Sequence, residues 1–573
     1  YCRTKNIFLM RIFLTYIILF STLCVFAQYP KFEIGGLSRA LADNSFLDHN
    51  DTVNSDANQD FNLVFDLAVK GELNKFINFY SELRLGNSLE VFDTSSSYLN
   101  LRRILIYGDL NKNMSFEIGD IDLKMTPFTL WNFQEEGIVN ENRLANNFRE
   151  IQRYENFNNG NFWRRQGLVI NGFKPIFKSD SIKYKTFGTR EVASNEISTP
   201  DVFLYGTEIK YQSNIFSFGF NHIDLFSNYK GINYDTNLNN HVISSNFDLY
   251  FKKLKIHSEF GFSRLTNTLD NFDSDWINGE FINIGFNINF SNYLSFSSSF
   301  RSVSEDFSSP GSQSKRINYS MAPFMFPQTN NNTNSRDISL ADIIYDVDFI
   351  RSNSFYNRNI DYNLDTFNPI FGVMDPYGLA TPNRRGVTSN LTFSDSLKII
   401  NINAQFSFLN DLVGEGINTK RNYTNYSIAF DLSLDNWLSL DNQFLLSVGY
   451  SNSTSKREHP QDMNVLNIDL SCNIFDLGLE FEIFNNLSIL SSYKRLFSEG
   501  LEYLPIRNND FTIESYNAFK CDLVHEINSF GIGYDFNEKS SVLLNYQILN
   551  FSDKLLDNSF SINQFFVLVQ IQF

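Results

Sequence analysis

From Ser559 to its last residue the chain reads SFSINQFFVLVQIQF. Phe565, Val567, Val569, Ile571 and Phe573 fall on one side of an extended strand. Gln564, Gln570 and Gln572 fall on the other, with Phe566 and Leu568 between them. Side chains alternate faces along a strand, so one face is apolar and the other largely amide. The same alternation recurs upstream. Phe61, Leu63, Phe65, Leu67 and Val69 oppose Asn62, Val64, Asp66, Ala68 and Lys70; Ile282, Ile284, Phe286, Ile288 and Phe290 oppose Asn283, Gly285, Asn287 and Asn289. Tyr426 to Leu434 repeats the pattern. Each segment matches the ~9 to 11 residues that a tilted strand needs to cross hydrocarbon. A soluble sandwich also alternates, but it does not need so many strands of this length.

This pattern, closing on Phe573, resembles bacterial outer-membrane β-barrels, whose assembly machinery reads a final aromatic residue and the alternating apolar residues before it. The resemblance implies an all-β, antiparallel transmembrane barrel in a Gram-negative outer membrane. It also implies the barrel assembly machinery and membrane lipid as partners, with Phe565, Val567, Val569, Ile571 and Phe573 as the assembly signal.

Two kinds of connection separate the strands. Ten short polar turns lie at Leu73-Asn74, Asn111-Lys112, Lys178–Asp180, Gln212-Ser213, Lys252-Lys253, Ser291-Asn292, Ser394–Ser396, Asp435-Asn436, Asn485-Asn486 and Asn537–Lys539. Long connections cover 43–60, 126–167, 304–384 and 453–462. Short turns are periplasmic and long loops extracellular in such barrels, so ten turns with one unpaired strand at each end give about 22 strands, with a range of about 20 to 24. Asn464–Phe484 reads as one long strand with a phase slip near Cys472, or as a hidden hairpin.

Arg3, Lys5 and Arg11 precede an apolar run, Ile12–Phe26, and then Ala27-Gln28. This reads as a secretory signal peptide over 1–27, with Met10 a possible start, and leaves 28–573 as one barrel domain. Without that segment 44 basic side chains face 64 acidic ones, a balance that speaks against nucleic acid as a partner. Cys472 and Cys521 read as lone packed thiols. A barrel of this size is similar to TonB-dependent transporters, but their N-terminal plug has no room before the first strand at Phe32–Leu41. Active uptake is therefore not expected.

No nucleophile elbow, phosphate-cradling glycine loop or H-E-x-x-H helix is present, so catalytic, cofactor-binding and metal residues are all expected to be none. The six histidines show no metal-ligand spacing. His257 shares a strand face with Lys255 and Glu259, and Glu82 shares one with Arg84; all five are expected to face the lumen. Segment 126–167 holds Glu135, Glu136, Arg143, Arg149, Arg153, Arg164 and Arg165. Opposed charges of this kind can line a pore constriction. The alternative is an extracellular loop stitched by surface ion pairs, which contribute little. Segment 304–384 either obstructs the lumen or caps the surface. The functional expectation is a porin-like, non-enzymatic channel for passive diffusion of small polar solutes. The alternative is a barrel for surface assembly, secretion or adhesion.

Overall fold

The computed structural model describes residues 29–49, 56–88, 97–133, 142–155, 157, 160–177, 179–192, 201–230, 235–269, 272–273, 276–313, 360, 369–415, 417–458, 467–507, 513–555 and 557–573. The expected signal peptide over 1–27 lies outside the described residues.

Twenty-two antiparallel strands form one closed sheet. They are β1 (Lys31–His49), β2 (Asp56–Glu72), β3 (Ile77–Ser88), β4 (Ser97–Asn111), β5 (Met114–Leu123), β6 (Trp163–Pro175), β7 (Ser181–Val192) and β8 (Asp201–Gln212). β9 (Phe216–Lys230), β10 (Asp235–Tyr250), β11 (Leu254–Leu269), β12 (Ile277–Asn289), β13 (Leu294–Val303), β14 (Arg384–Ser394) and β15 (Ile400–Asn410) follow. The wall ends with β16 (Asn422–Ser433), β17 (Phe444–Arg457), β18 (Ile468–Phe484), β19 (Leu487–Arg507), β20 (Ile513–Asn537), β21 (Ser540–Asp553) and β22 (Asn558–Gln572). A two-residue strand, Phe272–Asp273, is appended to β11.

Each strand pairs with its neighbour in sequence, and β1 pairs with β22 from Leu37↔Gln572 to His49↔Phe560. The Gly36 amide donates to the Phe573 carbonyl at 3.0 Å and the Phe573 amide to the Gly36 carbonyl at 3.1 Å, extending the seam by one more pair. A β-carbon on Gly36 would lie 2.0 Å from the Asp66 carbonyl oxygen of β2 and 2.8 Å from the Phe573 ring, so β1 fits between its two neighbours here only as a glycine. The Phe573 ring stacks on Phe65 of β2 at 5.5 Å between centroids, two strands from its own. Closure leaves no unpaired sheet edge, which is what lets strands cross hydrocarbon.

All ten expected short turns connect consecutive strands, and both ends of the sheet lie on their rim. Lys31 at the start of β1 pairs with Glu72 beside the first turn, and Gln570 near the end of β22 pairs with Ser541 beside the last. The strands run further into the opposite loops than their sequence suggests. β1 continues to His49 and β17 to Arg457, into stretches read as long loops. Backbone pairing with a neighbour overrides the polar local sequence there.

The outer face alternates as expected: Phe565, Ile571 and Phe573 are exposed while Gln564 is buried. The inner face differs from expectation. On β18 to β22 many inward positions are themselves apolar, among them Leu490, Leu543, Leu549, Phe566 and Leu568, all buried in one cluster, beside polar ones such as Lys494, Gln547 and Gln564. This also corrects the phase slip near Cys472. Ile468, Leu470, Cys472 and Ile474 alternate inward without interruption, and β17–β18 pairing is continuous through Cys472. The irregularity lies instead at Glu482/Phe484, beside the turn. The apparent change of face arises because the apolar residues point inward up to Ile474, where Asp469, Ser471 and Asn473 point outward, and outward from Phe475 to Leu479. Cys472 and Cys521 are free and buried.

Lysine at Ile284, outward and midway along β12, should destabilise the barrel by about 2–4 kcal/mol. Lysine at the inward, solvent-accessible Asn390 should cost far less. Urea titration of folding into vesicles measures both, and equal costs would reverse the face assignment.

Candidate functional site

A β-barrel of this width encloses a lumen that side chains of the wall alone do not fill. Two connections fill part of it. The first, between β5 and β6, carries helix α1 (Arg143–Glu155). Leu144, Ala145, Phe148 and Ile151 form its buried face, packed with inward residues of β18 to β22. Phe148 meets Phe566 edge-on at 4.5 Å. Asn142 caps the helix start by accepting from the Ala145 amide at 3.2 Å, and its own amide donates to Asp476 of β18 at 3.3 Å. Helix α1 therefore lies inside the barrel, not on its outer surface.

Both ends of α1 are fixed to the wall by charge. At the start, Arg143 donates to both Asp535 oxygens, at 2.5 and 2.7 Å, and to Glu480 at 2.8 Å. At the end, Glu155 lies among three inward arginines from three strands. Arg84 of β3 donates to its two oxygens at 2.5 and 3.0 Å, Arg102 of β4 approaches to 3.3 Å, and Arg39 of β1 makes an ion pair. Asp66 of β2 accepts two bonds from Arg84 at 2.6 Å, and Glu82 pairs with Arg102 at 2.8 Å. The Tyr154 hydroxyl donates to Asp66 at 2.6 Å. Three cations face three anions, which is how a buried ionic cluster avoids an uncompensated charge. Burial alone would raise the Glu155 pKa, but the arginines around it more than offset that and hold the carboxylate well below its usual range.

The second inward connection is 304–384. Its described parts pack against the first: the Gly311 carbonyl accepts from the Trp131 amide and the Trp163 indole, each at 2.9 Å. The Gln313 amide donates to the Phe307 and Ala380 carbonyls at 3.0 and 2.8 Å. Ile370, Phe371 and Met374 press on Cys472 and Ile474 of β18. Arg384 donates to the Met374 carbonyl at 2.9 Å and to Asp411 at the same distance, and Arg301 pairs with Asp375.

Against the opposite wall these segments leave a chamber of about 700 Å³. Trp131, Phe133, Phe371 and Tyr377 line its plug side. β14 to β17 supply Thr388, Asn390, Thr392, Asn403, Gln405, Asn425, Ser427, Ser451 and Ser453. The lining is therefore neutral amide and hydroxyl facing aromatic rings. Its two charged members, Arg301 and Asp375, pair with one another.

Glu82 and Arg84 face inward and belong to the Glu155 cluster. Glu259 is buried, accepting from Thr126 at 2.6 Å and Ser244 at 2.8 Å. Lys255 is exposed and pairs with Asp248 at 3.4 Å, while His257 lies close over Gly285. Arg164 and Arg165 sit at the start of β6, paired with Asp122 and Glu191. Arg153 pairs with Glu150 within α1, and Arg149 lies half-buried on the same helix. Glu135 and Glu136 lie outside the described residues. Of these arginines Arg143 anchors the inward helix to the wall, while Arg164 and Arg165 tie β6 to its neighbours β5 and β7; the chamber beside the loop is lined mainly by neutral groups. Sequence reading missed Arg39, Asp66, Arg102 and the β14–β17 amides. Each is an ordinary polar position of an alternating strand, and only strand order brings them together.

No family model and no curated protein matches the chain. Among solved structures it is similar to the translocation pore of the P pilus usher PapC, at 8% identity and a TM-score of 0.38, covering 94% of this chain and 99% of that one. It is similar to Pseudomonas aeruginosa OccK3 (OpdO), at 9% identity and a TM-score of 0.33, covering 94% and 96%. The ferric citrate transporter FecA in its unliganded form aligns at 8% identity and a TM-score of 0.47, covering 94% of this chain and 78% of that one. The barrel architecture itself follows from the strand pairing described above.

Glu155→Gln should loosen α1 by about 3–5 kcal/mol, the usual cost of breaking a buried pair, seen as faster hydrogen exchange over 143–155. A carboxylate whose folded pKa is depressed stabilises above its unfolded value, about 4.3, and loses that contribution as pH falls through the folded pKa. Exchange over α1 should therefore rise on acidification below about pH 4 in the wild type and respond much less in Glu155→Gln.

Proposed function

We propose that the protein is an outer-membrane channel for passive diffusion of small polar solutes, with the inward loops as its constriction. The observation that carries this reading is the chamber between those loops and β14–β17. Thr392, Asn390 and Asn403 are solvent-accessible within it. Amides and hydroxyls both donate and accept, so they can exchange hydrogen bonds with a passing neutral solute and with its water. The outer apolar face and the sealed seam suit a lipid bilayer. Assembly through the terminal strand, with Phe573 exposed at the seam, fits the same compartment.

A barrel for surface assembly, secretion or adhesion is the second reading. The observation that favours it is how firmly the lumen is occupied: α1 is fixed by ion pairs at both ends and by an apolar face along its length.

Planar-bilayer recording separates the two. The wild type should conduct with weak ion selectivity, because the chamber lining is neutral. Asn403→Asp combined with Asn425→Asp should shift preference towards cations at 0.1 M salt. The shift should shrink at 1 M, as the Debye length falls from about 10 Å to about 3 Å. Unchanged selectivity would place the chamber off the solute path. Absence of conductance in both the wild type and a variant lacking 143–155 would favour the assembly reading.

A further inference from the structure

Three ligand-type side chains meet on the outside of the barrel, away from the lumen. His222 and Asp224 lie two apart on β9 and so share a face. His241 of β10 is the register partner of Asp224. That face is the outward one: Phe218 and Phe220 on the same side are exposed, while Asn221, Ile223 and Leu225 on the other are buried. The His222 Nε2 lies 3.3 Å from the Asp224 Oδ1, and the His241 Nδ1 contacts that same oxygen. One ligand atom from each residue falls within 4.8 Å of the other two. Bonds of about 2.0–2.1 Å in tetrahedral geometry separate ligand atoms by about 3.3 Å. The trio therefore needs side-chain rotation only, mainly of His241, to hold an ion on a rigid two-strand backbone.

The surroundings favour a filled site. Along β9, Phe216, Phe218 and Phe220 precede the trio from the short-turn rim. From Phe216 to Asp224 a strand tilted near 40° climbs about 20 Å, close to the upper margin of a ~25 Å apolar band. Aromatic rings enclose the trio: Tyr205 lies edge-on to His222 at 6.3 Å, Phe203 stacks on Phe226 at 5.3 Å, and Trp276 lies 5.9 Å from His241. Asp224 is almost fully buried there, at 4% exposure. An ionisable group beside lipid is costly and marks function by default. Tyr205 is the register partner of Asp224 on β8, placed to give the kind of outer contact that orients a ligating carboxylate. Arg264, the register partner of His241 on β11, sits over the Trp276 ring at 4.0 Å.

We propose that His222, Asp224 and His241 form a binding site for a divalent transition-metal ion, with Zn²⁺ the ion best suited. Two imidazole ligands beside one carboxylate suit such ions over Ca²⁺ or Mg²⁺, which take oxygen ligands. Three protein ligands leave a coordination position open to the interface. The ion would join β9 to β10 at the outer margin of the band. The site is independent of the channel reading, since none of its residues lines the lumen.

Calorimetric titration of Zn²⁺ into the tag-free full chain in detergent micelles tests this. One equivalent should bind per chain. His222→Ala or His241→Ala should abolish saturable binding, and His257→Ala should leave it unchanged. Tyr205→Phe should weaken it about tenfold or more. Arg264→Gln should tighten binding, because it removes a neighbouring positive charge; an anion held at the same place would instead be weakened. Nitrogen hyperfine structure in the Cu²⁺ resonance spectrum of the wild type should show two imidazoles, a reading that needs no variant. Binding that survives loss of both histidines, or a spectrum without two nitrogens, would overturn the proposal.

Discussion

Every backbone amide and carbonyl that faces hydrocarbon must find a partner inside the protein, and this one requirement organises the molecule. A sheet meets it only by closing. The cost of leaving an open edge is many unsatisfied groups at several kcal/mol each, so the seam between β1 and β22 is where the fold is decided. Gly36 admits the close approach of the last residue, and the Phe573 ring covers the join from outside on Phe65. A one-residue slip of the last strand would turn Phe565 and Phe573 inward and Gln564 outward.

Closure with this many strands creates a second problem, a lumen too wide for wall side chains to fill. The solution is asymmetric. On one side the inner wall is apolar and α1 lies against it, so water is excluded by ordinary hydrophobic packing. Where the helix ends, three arginines and three carboxylates meet in a cluster with little solvent. Such a cluster gives no strong net stabilisation over an apolar equivalent, but it penalises any displacement that unpairs one member. It fixes where the loop sits more than how stably the barrel folds. On the other side the inner wall keeps its amides and hydroxyls, and a chamber remains.

The outer surface shows a related division. Most outward positions carry Phe, Ile, Leu or Tyr, and lipid explains them. One departure, at His222, Asp224 and His241, lies where the apolar band ends and where an aromatic such as Trp276 suits the interface.

Sequence alone determined the barrel class, the outer face and the ten short turns, because each is local. Alternation has a period of two, and turn residues announce themselves within three or four positions. It also placed Glu82, Arg84 and Glu259 on the inner side of their strands. Tertiary structure decided what the inner face does. Leu470 and Cys472 suggested a phase slip because alternation cannot tell a residue facing lipid from one facing a packed loop; both environments are apolar. Arg143 could belong to a surface loop or to a luminal helix, since its partners, Glu480 and Asp535, stand hundreds of residues away. Asp224 and His241 are 17 residues apart and meet only because the β9–β10 hairpin folds them into register. Local chemistry wrote the strands; the pairing of distant strands, imposed by closure, brought the charges, the amides and the histidines together.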